Sequence, residues 1–197
     1  MPRTPAQIEE IRKKRKTHIM DVALDLFASE GYGHVSIAML AKKAGISKGL
    51  MYNYFESKED LFSKIVDKPG LEEIMAFFDP NHDGVLTKDE FKLFVQKTFQ
   101  ILHEKRDYFM NFFGLMIQPN VKNFIRESAM VQFVVEYLGI FEDYFRKQGF
   151  EDPAMEVFQF SVMIEGFGIM MLYYDDLAEF PRELFDKFEN RIIELYT

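Results

Sequence analysis

The sequence predicts an all-α protein, and three observations carry that prediction. Apolar residues recur at helical spacing through most of the 197-residue chain. No convincing strand pattern or internal repeat interrupts them. The breaks between periodic segments fall at Gly, Pro, Ser and Asp, the residues that cap and end helices. At 48% hydrophobic residues the chain can bury a sizeable core. Its 22 Phe, 9 Tyr and 12 Met suit an irregular core or an apolar cavity.

The elements follow in order. Ile11, Ile19, Val22, Ala23, Leu26 and Phe27 form an apolar stripe over 9–30, ended by Gly31. Ser36 caps a short second helix through Ile37, Leu40, Ala41 and Ala44. Gly45-Ile46-Ser47 is a tight turn, and Ser47 caps a third helix over about 48–54. Ser57-Lys58-Glu59-Asp60 reads as a capping box, with Asp60 as the reciprocal acid, and starts a helix running to about Asp67. Lys68-Pro69-Gly70 breaks or kinks it, and Leu71–Phe78 resumes the helical pattern. After a polar loop at 79–90, Phe91, Phe94, Val95 and Phe99 mark a helix reaching about Lys105. Further helices are predicted over 107–117, 121–147 (ended by Gly149), 153–174 and 181–196, the last with Pro181 in its first turn. The domain boundary is expected near residue 56: a three-helix head over 1–56 and a second helical domain over 57–197.

Charge divides the chain in the same way. The net charge is −8. Residues 1–58 hold ten basic and six acidic side chains, which leaves the remainder strongly acidic. A basic head on an acidic body is expected where only the head meets phosphate.

A short helix, a Gly-containing turn and a second short helix make a helix-turn-helix. The stretch SIAMLAKKAGISKGLMYNYFESKEDLF (36–62), preceded by ALDLFASEGYGHVSI (23–37), resembles the N-terminal signature of the TetR family of bacterial transcriptional repressors. The likeness covers about the first third of the chain. The residue chemistry agrees with it. Lys48 and Lys58 can neutralise backbone phosphates. Tyr52 and Tyr54 offer hydroxyl donors. Ser36 and Ser47 sit at helix N-termini, where backbone amides favour phosphate. Gly49 permits close approach of the recognition helix. Leu50, where the family often has a small or hydroxylated residue, can meet a thymine methyl, and Asn53 can pair with an adenine edge. The Arg12–Lys16 run is expected to track phosphates, or else to serve only as solubilising charge.

The resemblance implies a double-stranded DNA operator as partner, a homodimer formed through about 153–196, and a small apolar effector in the body. Gly166, Gly168, Ile169, Leu172, Phe185, Phe188, Ile192 and Leu195 are compatible with the dimer seam, and equally with an internal core. Candidate lining for the effector cavity is Phe109, Phe112, Phe113, Met116, Phe133, Tyr137, Phe160, Met163 and Phe167, with Glu165 placed to orient a polar group of the ligand.

The loop DPNHDGVLTKDE (79–90) departs from that pattern. Asp79, Asn81, Asp83, Thr87 and Glu90, with the carbonyl of Val85, fall at positions 1, 3, 5, 9, 12 and 7 of an EF-hand calcium loop, and Gly84 occupies the sharp turn at position 6. The same residues also make a good helix–helix turn. No cofactor is otherwise expected. An alternative reading is a calcium-binding helical sensor that uses this loop.

The four His are dispersed, and no nucleophile elbow, P-loop or dinucleotide fingerprint occurs, so the chain is not expected to be an enzyme. It has no Cys, which excludes disulfides. The opening MPRTPAQIEEIRKKRK lacks the apolar stretch of an export signal. The longest apolar run, 153–174, is interrupted by Glu156, Gln159 and Glu165, so no membrane partner and a cytoplasmic location are expected.

Overall fold

In the computed structural model, residues 4–67, 76–173 and 182–197 are described, and among them every regular element is a helix. None of these helices is long and apolar enough to cross a membrane. Helix α1 (Pro5–Glu30) starts earlier than its apolar stripe predicts, because Thr4 and Gln7 close a capping box and Pro5 occupies the first turn. Only its second half buries a face, through Ile19, Met20, Ala23, Leu24 and Phe27. There follow α2 (Ile37–Lys43), α3 (Lys48–Tyr52), α4 (Lys58–Val66), α5 (Lys88–Glu104) and α6 (Arg106–Met116). After a 3-10 turn at Pro119–Val121 come α7 (Lys122–Glu127), α8 (Ala129–Gln148), α9 (Pro153–Tyr173) and α10 (Arg182–Tyr196).

The single helix expected over 121–147 is two helices. Ser128 breaks it with an extended backbone at ψ 153°, and its hydroxyl donates to the Ile125 carbonyl at 2.6 Å. A Ser side chain offering the backbone such a local bond competes with helix continuation. Gly149 ends α8 as predicted, at φ 90°. The Asp60 carboxylate accepts from the Glu56 amide at 3.0 Å, not from that of the Ser57 cap. The Lys68-Pro69-Gly70 break, most of Leu71–Phe78, and Pro181 lie outside the described residues.

The chain forms two compact units. The first comprises Met1–Asp67 and Asn111–Ser128, the second Lys68–Met110 and Ala129–Thr197. The first therefore extends past the expected boundary at 56 and takes in a second, distant stretch of chain. Its core gathers Phe27, Tyr32 and Phe62, with Phe124 against both Tyr32 and Phe62 at 5.4 and 5.5 Å between ring centroids. Gln118 caps the end of α1: its Oε1 accepts from the Tyr32 amide at 3.0 Å and its Nε2 donates to the Phe27 carbonyl at 2.9 Å.

The second unit packs α8 against α9 and α5 against α10. Phe91, fully buried, stands among Phe141, Tyr144, Phe145, Phe160 and Tyr196. A smaller group joins Phe99, Phe167, Phe185 and Phe188.

Candidate nucleic-acid interface

The inner sides of α2 and α3 bury Leu40, Ala41 and Met51, and Phe55 closes the base behind α3. Between the helices Gly45 takes φ 66°, and the Ile46 amide donates to the Ala41 carbonyl at 2.9 Å. A left-handed residue at this point ends α2 and turns the chain into α3. With one side of each helix fixed in the core, the other faces water. Ser36, Met39, Lys42, Lys43, Ser47, Lys48, Gly49, Tyr52 and Asn53 are all exposed, Tyr52 by 49%. Leu50 and Tyr54 are half-buried.

Two predicted contacts acquire a more definite chemistry. The hydroxyls of Ser36 and Ser47 accept from the amides of Met39 and Leu50 at 3.3 and 3.1 Å, as N-caps. Each keeps its hydroxyl proton to donate outward. Gly49 has open space where a Cβ would stand, so nothing in the protein itself demands glycine there.

Lys58 has a role that its sequence position did not suggest. It was expected on phosphate, but its ammonium donates to the Tyr32 and Val35 carbonyls at 3.0 and 3.1 Å and lies 4.3 Å from the Tyr32 ring centre. It therefore ties α4 to the turn between α1 and α2. Beside it, the Tyr32 hydroxyl donates to Glu59 at 3.2 Å. Burial, then the Glu59 charge, pushes the Tyr32 phenol above its ordinary range. The Glu59 carboxyl is held below its own range, chiefly by a bond to backbone, with Ser57, Tyr32 and Lys58 adding to it. Sequence reasoning missed Gln118 altogether. A lone Gln before a Pro gives no sign of a partner 86 residues away.

The 79–90 loop has the backbone of a tight metal-type loop. The Asp79 carboxylate accepts from the Asp83 and Gly84 amides at 3.1 and 2.9 Å, and Gly84 takes φ 71°. Asp83 accepts from the Val85 amide at 2.8 Å and from Asn81 at 3.0 Å. The expected ligands are not gathered, however. Thr87 caps α5, and Glu90 turns back to accept from the Thr87 amide and hydroxyl at 2.8 and 2.7 Å. Among the described residues no group of three or more His, Asp or Glu side chains converges as a metal site. The physical reason is local: each carboxylate is already satisfied by a loop amide or a cap. The donor set itself, all oxygen and half of it carboxylate, suits a hard cation.

The candidate effector residues are divided between the two units. Phe112, Phe113 and Met116 fall in the first unit, half-buried. Phe109, Tyr137, Phe160, Met163, Glu165 and Phe167 fall in the second. There Phe160 and Phe167 are core residues, packed on Phe91 and on Phe99, and Tyr137 lies against Phe78 at 4.8 Å. Glu165 is exposed. The Phe133 and Leu172 side chains lie outside those described. Of the expected dimer seam, Ile192 is buried and Phe185 and Phe188 pack inward on Phe167. Apolar side chains that face water on these two helices include Met155, Phe158, Val162, Ile169 and Met170 on α9, with Leu184 and Leu195 on α10.

Known proteins resemble this chain most clearly in the same head. Residues 19–65 match the family of bacterial regulatory proteins called the tetR family, and residues 70–98 match the EF hand domain. Over 63 residues the chain is 41% identical to the HTH-type transcriptional regulator AcrR of Shigella flexneri, covering 32% of this chain and 27% of that protein. Over 91 residues it is 25% identical to the fatty acid metabolism regulator protein of Bacillus subtilis (strain 168), covering 46% and 47%. The chain thus spans less than half the length of these two curated relatives. Its fold is similar to that of a TetR-like transcriptional regulator from Rhodococcus sp. RHA1, with a TM-score of 0.67 at 20% identity, over 100% of this chain and 96% of that one.

Proposed function

We propose, from the premise that the chain belongs by its N-terminal domain to the tetR family of bacterial regulatory proteins, that it is a cytoplasmic transcriptional regulator and not an enzyme. It binds a palindromic operator in duplex DNA as a homodimer and represses until a small apolar or aromatic effector releases it. The observation that carries this reading is the α2–α3 face: donors, cations and one glycine exposed on a buried apolar scaffold. Lys48 neutralises a phosphate, Tyr52, Ser36 and Ser47 donate to phosphate oxygens, and Asn53 and Leu50 meet base edges. The homodimer is supported by the exposed stripe of Met155, Phe158, Val162 and Ile169, whose spacing puts it on one side of α9. An apolar effector agrees with the Phe- and Met-rich body. It releases DNA only if it binds the DNA-incompetent state more tightly.

The test is selection of duplexes from a randomised pool by the full-length protein, followed by footprinting. The expected result is a two-fold symmetric site whose affinity falls on Tyr52→Phe and on Lys48→Ala, the latter lowering the salt slope by about one. Failure to enrich any sequence would overturn the reading.

A second reading concerns the 79–90 loop, favoured by its Gly84 turn, its Asp79 bonds and its match to the EF hand domain. Calcium would be held there by Asp79, Asn81, Asp83, Thr87 and Glu90 and the Val85 carbonyl, supplying a fixed positive charge that orders the loop. Calorimetry at millimolar calcium should give heat that Glu90→Gln abolishes. No heat and no change in thermal stability would make the loop a turn only.

A further inference from the structure

The first half of α1 is the part of the head that its core does not use. Residues 4–18 are exposed apart from a half-buried Lys16, yet from Pro5 they form regular helix, started by the Thr4–Gln7 box. A free helix of this length is marginal in water. This one is carried by its continuity with the buried second half. It holds five consecutive cations, Arg12, Lys13, Lys14, Arg15 and Lys16. Successive helix positions are about 100° apart, so five in a row circle the axis and present charge on whichever side meets a polyanion.

Two contacts locate and sort these cations. The Lys16 ammonium lies 5.6 Å from the centre of the Phe55 ring, so the run emerges beside the chain that leaves α3. Lys14 is paired with Glu10 at 2.7 Å. Arg12, Lys13 and Arg15 are exposed. Arg12 stands about 6 Å along the axis from Lys16.

We propose that the exposed half of α1 is a second DNA-contacting surface: a helical arm whose Arg12, Lys13 and Arg15 bind backbone phosphates next to the base pairs that α3 reads. The proposal rests on the DNA-binding reading and deepens it. Guanidinium and ammonium groups on an exposed helix have no fixed partners that could discriminate bases, so the arm adds affinity and salt dependence and leaves the sequence preference alone. The charge argues for phosphate as the occupant. The rest of the chain is acidic and repels DNA, so attraction must be concentrated in the head.

The test uses full-length protein and a duplex that it has itself selected from a randomised pool. The combined variant Arg12→Gln, Lys13→Gln, Arg15→Gln should lower the slope of log affinity against log salt by about two to three, with the selected sequence unchanged. Glu9→Gln with Glu10→Gln should move binding the other way, to higher affinity. Because these side chains are exposed, both variants should melt with the parent. A slope unchanged in the triple variant while Lys48→Ala lowers it would overturn the arm and leave the head's DNA reading standing. Parent protein that selects no duplex would overturn both.

Discussion

The two units hold their aromatic cores in different ways. In the first, Phe27, Tyr32, Phe62 and Phe124 are fastened by polar bonds to named atoms: Lys58 on two carbonyls, Gln118 on one carbonyl and one amide, Tyr32 on Glu59. In the second, Phe91 and its neighbours are fixed mainly by ring against ring, with the Tyr144 hydroxyl on the Tyr196 carbonyl at 2.7 Å as a buried polar tie. Polar bonds are directional, so a unit built on them specifies positions closely. Ring packing is less directional and tolerates exchange of one apolar residue for another if volume is kept. A DNA-reading head needs the first kind of order. The effector binding proposed for the body would work with the second.

The largest effect expected is in the ring-packed unit. Phe91→Ala removes the ring that touches five others and should cost about 3–5 kcal/mol. Chemical denaturation measures it. Phe91→Leu, which keeps most of the volume, should lose far less. Equal losses from the two would mean that the rings are held by geometry as strict as the head's.

Next comes Gln118→Leu, nearly the same size but unable to bond. It leaves the Tyr32 amide without its partner, a loss of about 1–3 kcal/mol. Hydrogen exchange should locate the loss at Tyr32 and at the end of α1. Protection unchanged there would remove the strongest polar tie from the comparison.

Lys58→Met follows, at about 1–2 kcal/mol, since the ammonium is charged but only half-buried. It also sharpens the functional reading. A lysine that acts through the fold lowers stability and leaves the salt slope of DNA binding as it was, whereas one that also meets phosphate lowers the slope by about one.

These ties explain what was legible in the sequence. The head's short helices, its Gly45 turn and its serine caps are local, and residue types alone predict them; the early Thr4–Gln7 start of α1 and the partner of Asp60 were not foreseen. Ser36, Ser47 and Ser57 all cap the helices that they precede. The Gln118 clamp was invisible because it joins residues far apart in the chain. Lys58 was assigned to phosphate because an exposed-looking cation in a basic head suggests it, and nothing local reveals the two carbonyls that it also holds. In the body the periodicity gave the helices. It could not say whether Phe160, Phe167 or Ile192 faces a cavity, a partner or the core, since all three uses show the same apolar stripe. The 79–90 loop spelled a calcium site by spacing, yet spacing does not reveal that Glu90 bonds to Thr87.

A smaller effect tests the polar tie of the second unit. Tyr144→Phe should cost about 1 kcal/mol at neutral pH. Burial pushes the Tyr144 phenol up from 10.0 to about 12. The folded state therefore keeps its proton longer than the unfolded state. The associated stability is whole below pH 10, declines above it as the unfolded phenol ionises, and is lost once pH passes about 12. Denaturation midpoints across that window should fall less in the Phe variant than in the parent. A parallel fall in both would show that Tyr144 carries none of the alkaline sensitivity.

The smallest change in stability separates fold from function within the head. Gly49 lies in α3 with φ in the ordinary helical range for an L residue and open space where a Cβ would stand. Ala in a helix is favoured over Gly by roughly 0.5–1 kcal/mol, and the protein offers no clash to offset that. Gly49→Ala should therefore raise the melting temperature slightly. If α3 approaches the duplex through this position, the added methyl meets DNA and not protein, and affinity for the selected duplex should fall while stability rises. Only contact with a partner would make a stabilising substitution weaken binding at an exposed site. Affinity that stays constant or rises with stability would move the line of closest approach away from Gly49, toward Lys48, Tyr52 and Asn53.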